Sequence, residues 1–458
     1  MLENIYELVN ENKKFYKTLI TLCIPIIIQN LLSTLINMVD TIMVGGLGEI
    51  SVAAIGIANQ YFFLYNMALS GIIGGAGLFI AQFFGKNDKE NIKKITALSV
   101  ISAVILGLLF SFIAIFFPKF IINFFSYDEE LVKVSINYLF IIGFCYPIIA
   151  ISSVFSMGSR SIRNPKLGMI CSIISLCINI ILNYVFIFGK FGIPKLGVSG
   201  VALATVISRI IELILLTSYV YFIKNDYELR FTFKDIKLIN KNLVNIYISK
   251  TIPTFLNDTL WAFGTVLYAV AYSRAGTSAI AASQIASTTG NFFIMTSVCI
   301  AIGSSIIIGN ELGAGKVNKA ITYCKKFSIL VTIVGALFGV LLIISIPLII
   351  KVFSVSNSLA QDIEKIFFIM GILMALKTFN TFMVIGVLRS GGDTKYALLL
   401  EMGCMWLISL PLTFFATHKG VPIYILVALT YTEELAKFIF VVPRALSKKW
   451  ANNIVKNV

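Results

Sequence analysis

The sequence predicts an all-α membrane protein in which twelve transmembrane helices form two parallel six-helix repeats, an N-lobe and a C-lobe, around a central cavity. Composition is the first reason. The chain has 458 residues, of which 58% are hydrophobic and 13% are charged, whereas a soluble domain is about 45–50% apolar and about 25% charged. A soluble globular enzyme cannot cover so much apolar surface, and a disordered chain is more polar than this one. The other two reasons are a series of long apolar runs and an internal duplication.

Twelve apolar runs, bounded by glycine, proline and charged residues, are each long enough to cross a bilayer, which requires about 20 residues in a helix. Runs such as Ile170–Ile181 do not alternate with a period of two, so they indicate helices rather than strands of a membrane barrel. The first run is too long for a cleavable signal peptide and is retained as helix 1. The runs fall at 18–43, 53–82, 95–117, 135–157, 167–188, 198–222, 247–273, 280–310, 323–349, 364–388, 396–416 and 421–443.

The basic residues of the chain predict its orientation in the membrane. With a cytoplasmic N-terminus, the tails, the inner loops and the adjoining helix ends hold 26 of the 37 lysines and arginines, and the outer loops hold eight. Cytoplasmic loops are enriched in lysine and arginine, so the sequence predicts a multi-pass protein of the plasma (inner) membrane with both termini cytoplasmic. The net charge of +15 is explained by topology, and no nucleic acid partner is predicted.

Residues suited to catalysis or metal binding are scarce. The only histidine is His418, in a predicted outer loop, and the seven cysteines lie in or beside apolar runs without CxxC spacing. Such cysteines are typical of small core residues. The sequence therefore predicts neither an enzyme nor a protein with a cofactor.

The chain contains an internal duplication. A shift of 228 residues places Gly48–Gly85 on Gly276–Gly313 without a gap, and ten of the 38 positions are identical, whereas about three or four are expected by chance for this composition. The same shift places Pro25 on Pro253. Six helices are an even number, so both copies enter the membrane from the same side and form parallel repeats.

The repeat sets the predicted domain organisation. Helices 1–6 form the N-lobe, a stretch rich in lysine, asparagine and aspartate forms a cytoplasmic linker, and helices 7–12 with a short tail form the C-lobe. Parallel halves of this kind favour a central cavity and alternating access. The predicted limits are 1–222 for the N-lobe, 223–246 for the linker and 247–458 for the C-lobe.

Two acidic residues within the predicted spans differ between the repeats. The 228-residue shift places Tyr268 opposite Asp40 and Asn30 opposite Asp258, so neither acid is a necessary part of the repeat scaffold. A charge near the bilayer centre is costly. A carboxylate in such surroundings is stable when it holds a proton or a cation, and alternation between these two states is what ion coupling requires.

Two of the remaining acids in the spans can pair with a basic residue on the same helix. Arg209 and Glu212 are spaced i,i+3 on span 6, and Glu433 and Lys437 are spaced i,i+4 on span 12. Residues at these spacings face each other on one helix, so local ion pairs are predicted for both. Two further acids have no predicted partner, namely Glu401 and Glu434.

Span 5 carries a polar stripe. Ser172, Ser175, Asn179 and Asn183 recur at helical spacing on one face. Asparagine oxygens can coordinate Na⁺ without adding charge, and Thr205 on span 6 can supply another oxygen. The alternative, that these groups only hydrogen-bond one helix to another, stays open at this point.

Three motifs together resemble the multidrug and toxic compound extrusion (MATE) family, within a larger group that also contains polysaccharide and lipid-precursor flippases. The resemblance runs from span 1 to span 12. The motifs that carry it are Asp40–Gly48 after span 1, Asn179–Asn183 with Pro194 and Gly197–Thr205, and Leu388–Lys395.

The resemblance implies a secondary active, two-lobed antiporter that exports organic cations in exchange for Na⁺ or H⁺. It implies a monomer without a cofactor, whose partners are small cationic drugs or toxins and the lipid bilayer. By resemblance, the coupling-cation site consists of Asp40, Asn179, Asn183 and Thr205, and Pro25 is a hinge in helix 1 that bends when the acid changes state.

The resemblance is weaker in the C-lobe. Family members with a second site carry a glutamate on helix 7 and an aspartate on helix 10, where this chain offers Asp258 and Lys377. A lysine repels a cation unless an acid neutralises it. Asp258 can instead attract the substrate, with Trp261 nearby for a cation–π contact. The candidate substrate or C-lobe residues are Asp258, Trp261, Tyr268 and Lys377.

The alternative within the same fold is a flippase for a lipid-linked polysaccharide or cell-wall precursor. Such an anionic substrate requires a basic cavity, and the predicted spans contain few basic residues. The sequence therefore favours the antiporter. A channel is not excluded, although duplicated halves fit alternating access better.

Overall fold

A computed structural model describes residues 2–124, 128–224, 226–353 and 356–456 of the chain. These residues form helices joined by short turns, and no strand occurs among them. In lipid every backbone N–H and C=O group needs an internal partner, and a helix supplies one within each segment. The predicted all-α fold is confirmed.

The chain divides into two compact units, Met1–Ile248 and Ser249–Val458. The boundary falls inside one long helix, so the predicted linker 223–246 belongs to the first unit. The predicted lobe limits stay predictions, because a division by packing does not locate the membrane.

Among its described residues, the N-terminal unit contains nine helices and the beginning of a tenth. A π-helical turn, Tyr219–Ile223, continues the eighth helix. The helices are α1 (Leu2–Gly45), α2 (Glu49–Lys86), α3 (Lys89–Phe116), α4 (Pro118–Asn123), α5 (Glu129–Gly143), α6 (Cys145–Ser161), α7 (Pro165–Phe188), α8 (Gly197–Ser218) and α9 (Phe233–Lys237).

The C-terminal unit repeats this plan with more interruptions. Two π-helical segments, Phe382–Arg389 and Gly403–Ser409, follow α14 and α15. Such segments are frequent at functional sites. The helices are α10 (Lys241–Arg274), α11 (Thr277–Gly313), α12 (Val317–Ile344), α13 (Ile346–Phe353), α14 (Asn357–Thr381), α15 (Thr394–Met402), α16 (Leu410–His418), α17 (Ile423–Thr430) and α18 (Thr432–Leu446).

Every predicted apolar run coincides with a helix, or with consecutive helices that continue one another. Among the described residues, nine helical segments are long and apolar enough to cross a membrane, and a tenth span is formed if the bent pair α5–α6 counts as one. The two remaining runs correspond to α10 and to α17–α18. These helices are more polar because they carry Asn257 and Asp258 in one case and Glu433, Glu434 and Lys437 in the other.

The bend between α5 and α6 has a local cause. The two helices meet at Phe144 at an angle of 45°. Pro147 has no N–H group, so the carbonyl of Gly143 lacks its helical partner. Gly107 on α3 packs against this bend, where an added Cβ atom would lie 2.9 Å from the Pro147 Cα atom.

Helices α1, α7 and α8 position the predicted cation site. α1 packs on α7, and α7 packs on α8. Pro25 lies inside α1, which is helical on both sides of it, and its side chain is buried. The serine and asparagine side chains of the polar stripe on α7 are buried, so this face points into the helix bundle rather than toward lipid.

Candidate functional site

Three of the four predicted coupling-site residues form one hydrogen-bonded group in the N-terminal unit. Asn183 Nδ2 donates to Asn179 Oδ1 at 3.1 Å, and Asn179 Nδ2 donates to Thr205 Oγ1 at 3.4 Å. Both asparagines are 0% exposed. The first bond lies within α7 and the second links α7 to α8, as the helix-to-helix interpretation requires, and cation coordination stays a prediction.

The fourth predicted residue is Asp40. It lies in α1, five residues before the helix ends, and its side chain is outside the part of the chain that the structure describes. The hinge residue Pro25 lies earlier on the same helix, and Gln29 follows it by one turn.

Gln29 is the centre of a polar contact that the sequence interpretation missed. Arg160 donates an Nη2–H bond to Gln29 Oε1, and Gln29 Nε2 is 3.0 Å from both Ser156 Oγ and Ser172 Oγ. The Gln29 side chain is buried. It thereby joins α1 to α6 and α7 within one turn of Pro25.

The same network continues to α8. Ser172 Oγ donates to Glu212 Oε1 at 2.8 Å, and Arg209 Nη1 donates to Glu212 Oε2 at 2.7 Å. The predicted i,i+3 pair between Arg209 and Glu212 is confirmed. Among the described side chains, the N-terminal network therefore combines the guanidinium groups of Arg160 and Arg209 with the carboxylate of Glu212.

The C-terminal unit contains a more acidic network. Arg389 Nη2 donates to Asp258 Oδ1 at 2.6 Å and lies 3.7 Å from Glu401 Oε2. Asn257 Nδ2 also donates to Glu401 Oε2. Glu401, which had no predicted partner, is therefore held by neighbouring helices.

Lys437 on α18 is the centre of this network. Its Nζ atom lies 3.5 Å from Glu433, 3.6 Å from Glu434 and 3.8 Å from Glu401. The predicted pair between Glu433 and Lys437 is confirmed, and Glu434 also finds the same lysine. Lys437 is only 4% exposed, so three carboxylates share one buried ammonium group.

Neutral groups complete the cluster. Tyr268 Oη donates to Glu433 Oε2 at 3.1 Å and is 2.7 Å from Ser409 Oγ. Asn380 Nδ2 donates to the backbone oxygen and the Oε2 atom of Glu434, at 2.7 and 2.8 Å. Each of the two acids on α18 therefore has one oxygen on a neutral donor and the other near Lys437.

The predicted C-lobe residues are only partly brought together. Trp261 packs against the apolar cluster that contains Tyr268, Met405 and Leu410, whereas Asp258 is bonded to Arg389. Lys377 places its Nζ atom 5.1 Å from the centre of the Tyr431 ring. Tyr268 therefore connects the aromatic group to the acidic cluster, and Asp258 belongs to an ion pair beside it.

The two networks occupy equivalent positions of the repeat. The shift of 228 or 229 residues that aligns the halves relates four members of the N-terminal network to four members of the C-terminal one. The same shift, applied to positions where the two halves carry different residues, could have revealed both networks from the sequence. The pairs are Gln29 and Asn257, Arg160 and Arg389, Ser172 and Glu401, and Arg209 and Lys437.

The residue types do not suit a catalytic metal. Among the described residues, no group of three or more His, Cys, Asp or Glu side chains is arranged to hold a metal ion. The carboxylates of the C-terminal unit instead face Arg389 and Lys437. What these networks can do is hold protons, small cations or charged ligands inside a helix bundle.

Comparison with known proteins gives a consistent result. The MatE family model matches residues 25–185 and 253–415, one match in each half of the chain. The probable multidrug resistance protein NorM of Pasteurella multocida (strain Pm70) is 26% identical, over 87% of this chain and 85% of its own. The uncharacterized transporter YisQ of Bacillus subtilis (strain 168) is also 26% identical, over 88% of each chain.

Solved structures share the fold. A crystal structure of a MATE in the bent conformation superimposes with a TM-score of 0.85, covering 95% of this chain and 96% of the other, at 19% identity. An outward-facing multidrug resistance MATE family transporter of the MOP superfamily gives a TM-score of 0.83 at 20% identity, covering 94% and 96%. The twelve-helix, two-repeat architecture fits both. The chain belongs to the MatE family, whose members are multi-pass membrane transporters and not enzymes.

Proposed function

We propose that the protein is a secondary active efflux antiporter that exports organic cations in exchange for Na⁺ or H⁺ by alternating access. Relatives named as probable multidrug resistance proteins support the substrate class. The plasma membrane, with both termini cytoplasmic, is the proposed location because basic residues are concentrated in the inner loops. The protein is proposed to act as a monomer without a cofactor.

The coupling site is proposed at Asp40, Asn179, Asn183 and Thr205. The observation that carries the proposal is the buried Asn183–Asn179–Thr205 group on the helices packed beside α1. Amide and hydroxyl oxygens can coordinate Na⁺, and a carboxylate can exchange Na⁺ for a proton. The 3.4 Å contact to Thr205 is at the long limit for a hydrogen bond, so a cation that takes this oxygen displaces little.

Pro25 is proposed as the hinge of this site. A proline inside a helix removes one backbone hydrogen bond and permits a bend. The Gln29 contact to Arg160, Ser156 and Ser172 lies one turn further on. Movement of α1 at Pro25 would break or remake this contact, which gives the hinge two distinct states.

Trp261 and Tyr268 are the proposed contacts of an organic cation in the C-terminal unit. Aromatic faces attract cations, and the acidic cluster beside Tyr268 supplies the opposite charge. Asp258 and Lys377 complete the candidate set, although Asp258 is already bonded to Arg389.

A flippase for an anionic lipid-linked precursor is the alternative. The described charges of the C-terminal cluster argue against a flippase. Four carboxylates lie beside two basic groups in direct contact, Arg389 and Lys437, and one more distant lysine, Lys377. An anionic substrate would be repelled by such a surface, whereas a cation would be attracted.

The test is transport in vesicles with Na⁺ and pH gradients imposed separately, using ethidium as the organic cation. Efflux driven by at least one gradient is expected. Efflux that responds to neither gradient would contradict the antiporter.

The matched variants are Asp40→Asn and Asp226→Asn. The first should abolish gradient-driven efflux with the protein still inserted, while the second alters an exposed loop residue and should transport normally. Normal efflux by Asp40→Asn would reject the coupling role of this residue.

A further inference from the structure

The acidic cluster of the C-terminal unit contains more carboxylates than basic groups. Its acids are Asp258 and three glutamates, and its bases in direct contact are Arg389 and Lys437. Lys377 adds a third positive charge, which acts on Glu433 from α14. Among the described side chains, the four carboxylates of the cluster therefore outnumber its three bases by one. Buried charges that are not paired are costly, so one carboxyl group must take up a counterion.

The excess is concentrated on α18. Asp258 is bonded to Arg389 at 2.6 Å, and Glu401 lies between Arg389 and Lys437. Glu433 and Glu434 are adjacent in sequence, and both depend on Lys437 for their close positive contact. Two carboxylates that share one site cannot both ionise easily.

Two buried amide oxygens point to an additional hydrogen donor. Asn380 uses its nitrogen on two oxygens of Glu434, and its own Oδ1 atom accepts no hydrogen bond within the described part of the chain. Asn257 is in the same situation. Its Nδ2 atom donates to Glu401, and its Oδ1 atom accepts no hydrogen bond among the described residues. Asn380 is 1% exposed and Asn257 is 2% exposed. The double contact with Glu434 fixes the orientation of the Asn380 amide, so its oxygen is an acceptor beside a carboxylate.

Other groups around the two glutamates come from every helix packed on α18. Tyr268 on α10 bonds to Glu433, and Cys404 interacts electrostatically with both acids from the π-helical segment after α15. Tyr431, at the start of α18, is fully enclosed near them. The phenol and thiol groups are neutral, so none of them supplies the missing positive charge.

We propose that Glu433 and Glu434 share one exchangeable proton. This pair is then a proton-binding site of the transporter, separate from the coupling site proposed at Asp40. A protonated carboxyl removes the excess charge and provides an O–H donor beside the amide of Asn380, whose oxygen is unmatched among the described residues. A metal cation fits less well, because Lys437 lies within 3.6 Å of both acids and would repel it.

The role of this proton in transport rests on the proposed antiport function. Its presence does not, because it follows from the charges and contacts of the cluster. In the N-terminal unit the 228-residue shift places Thr205 and Val206 at the positions of Glu433 and Glu434, so the pair of adjacent acids is not repeated there.

The test is an infrared pH titration of the purified full-length protein in detergent, following the C=O band of protonated carboxyl groups. The variants are Glu433→Gln, Glu434→Gln and the double variant, with Glu90→Gln as the exposed control. One shared proton predicts that each single variant loses the same carboxyl band as the double variant, because the remaining glutamate ionises beside Lys437. The control should keep the band.

Unchanged band intensity in either single variant would overturn the shared proton. The shared proton would also be overturned if the band losses of the two single variants sum to the loss of the double variant, because additive losses mean two independent protonated carboxyl groups. The single variants keep the test valid if the double variant does not fold, and melting temperature in detergent checks their integrity.

Vesicle efflux of ethidium driven by a pH gradient tests the role in transport. Either single variant should lower it about tenfold relative to Glu90→Gln. Normal efflux by both single variants would overturn the coupling role. Absence of efflux in the unmodified protein would reject the antiport function, whereas the infrared titration would still decide whether the proton is present.

Discussion

In the N-terminal unit, Arg209 is paired with Glu212, and the neutral Ser172 and Gln29 connect this pair to Arg160. In the C-terminal unit, the positions of Arg160, Arg209, Gln29 and Ser172 are taken by Arg389, Lys437, Asn257 and Glu401, and three more carboxylates join them. Among the described side chains, the C-terminal network therefore holds four carboxylates where the N-terminal network holds Glu212.

This difference shows how a duplicated scaffold can acquire two functions. The arginine at the end of the fourth span is retained in both copies, so it serves the scaffold. The residues around it have diverged, and the described acids of the C-terminal network outnumber its described bases. A surplus of buried charge is unfavourable for stability, so its presence favours a functional role.

The largest expected effect is at the centre of the C-terminal network. Lys437→Met removes the ammonium group shared by three carboxylates and should lower the free energy of unfolding by about 4 kcal/mol, because it leaves buried charges unpaired. Arg209→Met in the N-terminal network should cost about 2 kcal/mol, since one carboxylate is affected and Ser172 still donates to it. Denaturant unfolding in mixed micelles measures both. Equal losses would break the comparison.

The arginine that the two halves share, Arg160 in one and Arg389 in the other, gives the next contrast. Arg389→Leu should destabilise by about 3 kcal/mol because it leaves Asp258 without its ion pair. Arg160→Leu should cost about 2 kcal/mol, since its partner in the N-terminal network is the neutral Gln29. Both variants should be measured against the unmodified protein in the same detergent. A larger loss for Arg160→Leu would contradict the assignment.

A change of sign is expected at Ser172 and Glu401. Ser172→Ala removes a donor to Glu212 and an acceptor for Gln29, so it should destabilise by about 1.5 kcal/mol. Glu401→Gln removes one surplus negative charge while retaining an oxygen for Asn257, so stability should be unchanged or slightly raised. Melting temperatures of the two variants decide the point. Destabilisation by Glu401→Gln comparable to that of Ser172→Ala would indicate that its charge is needed for folding.

The smallest effect is expected outside both networks. The hydrogen bond from Lys89 holds the pKa of Asp226 below its usual value, so any stabilisation is present above the ordinary aspartate pKa and is lost as pH falls through the lowered one. The Asp226 side chain is 64% exposed, and exposed ion pairs contribute little. Asp226→Asn should therefore leave the melting temperature at neutral pH unchanged. Asparagine also tolerates the positive φ of 53° at this position.

The apolar runs, the duplication and the local ion pairs could be predicted from the sequence. Helix length and hydropathy follow from consecutive residues, and pairs such as Arg209–Glu212 and Glu433–Lys437 follow from the helical period. Asn179, Asn183 and Thr205 are joined by hydrogen bonds, and their role in cation binding stays a prediction. The side chain of Asp40 lies outside the described residues, so its part in that set remains a prediction.

Contacts between helices could not be predicted in the same way. Glu401 and Glu434 had no predicted partner because theirs lie on other helices or are shared with another acid. Arg389 follows the predicted span 364–388 and was counted among the topology charges of an inner loop, whereas it is half-buried and paired with Asp258. Sequence spacing specifies which residues share a helix face, but packing decides which faces meet.

The sequence by itself determined an all-α membrane protein built from a duplicated six-helix unit, because hydropathy and repetition are properties of the chain. Only the tertiary structure decided that Glu401, Glu433 and Glu434 converge on Lys437. The physical reason is that a buried charge must find a partner in three dimensions, and that partner is set by helix packing rather than by position along the chain.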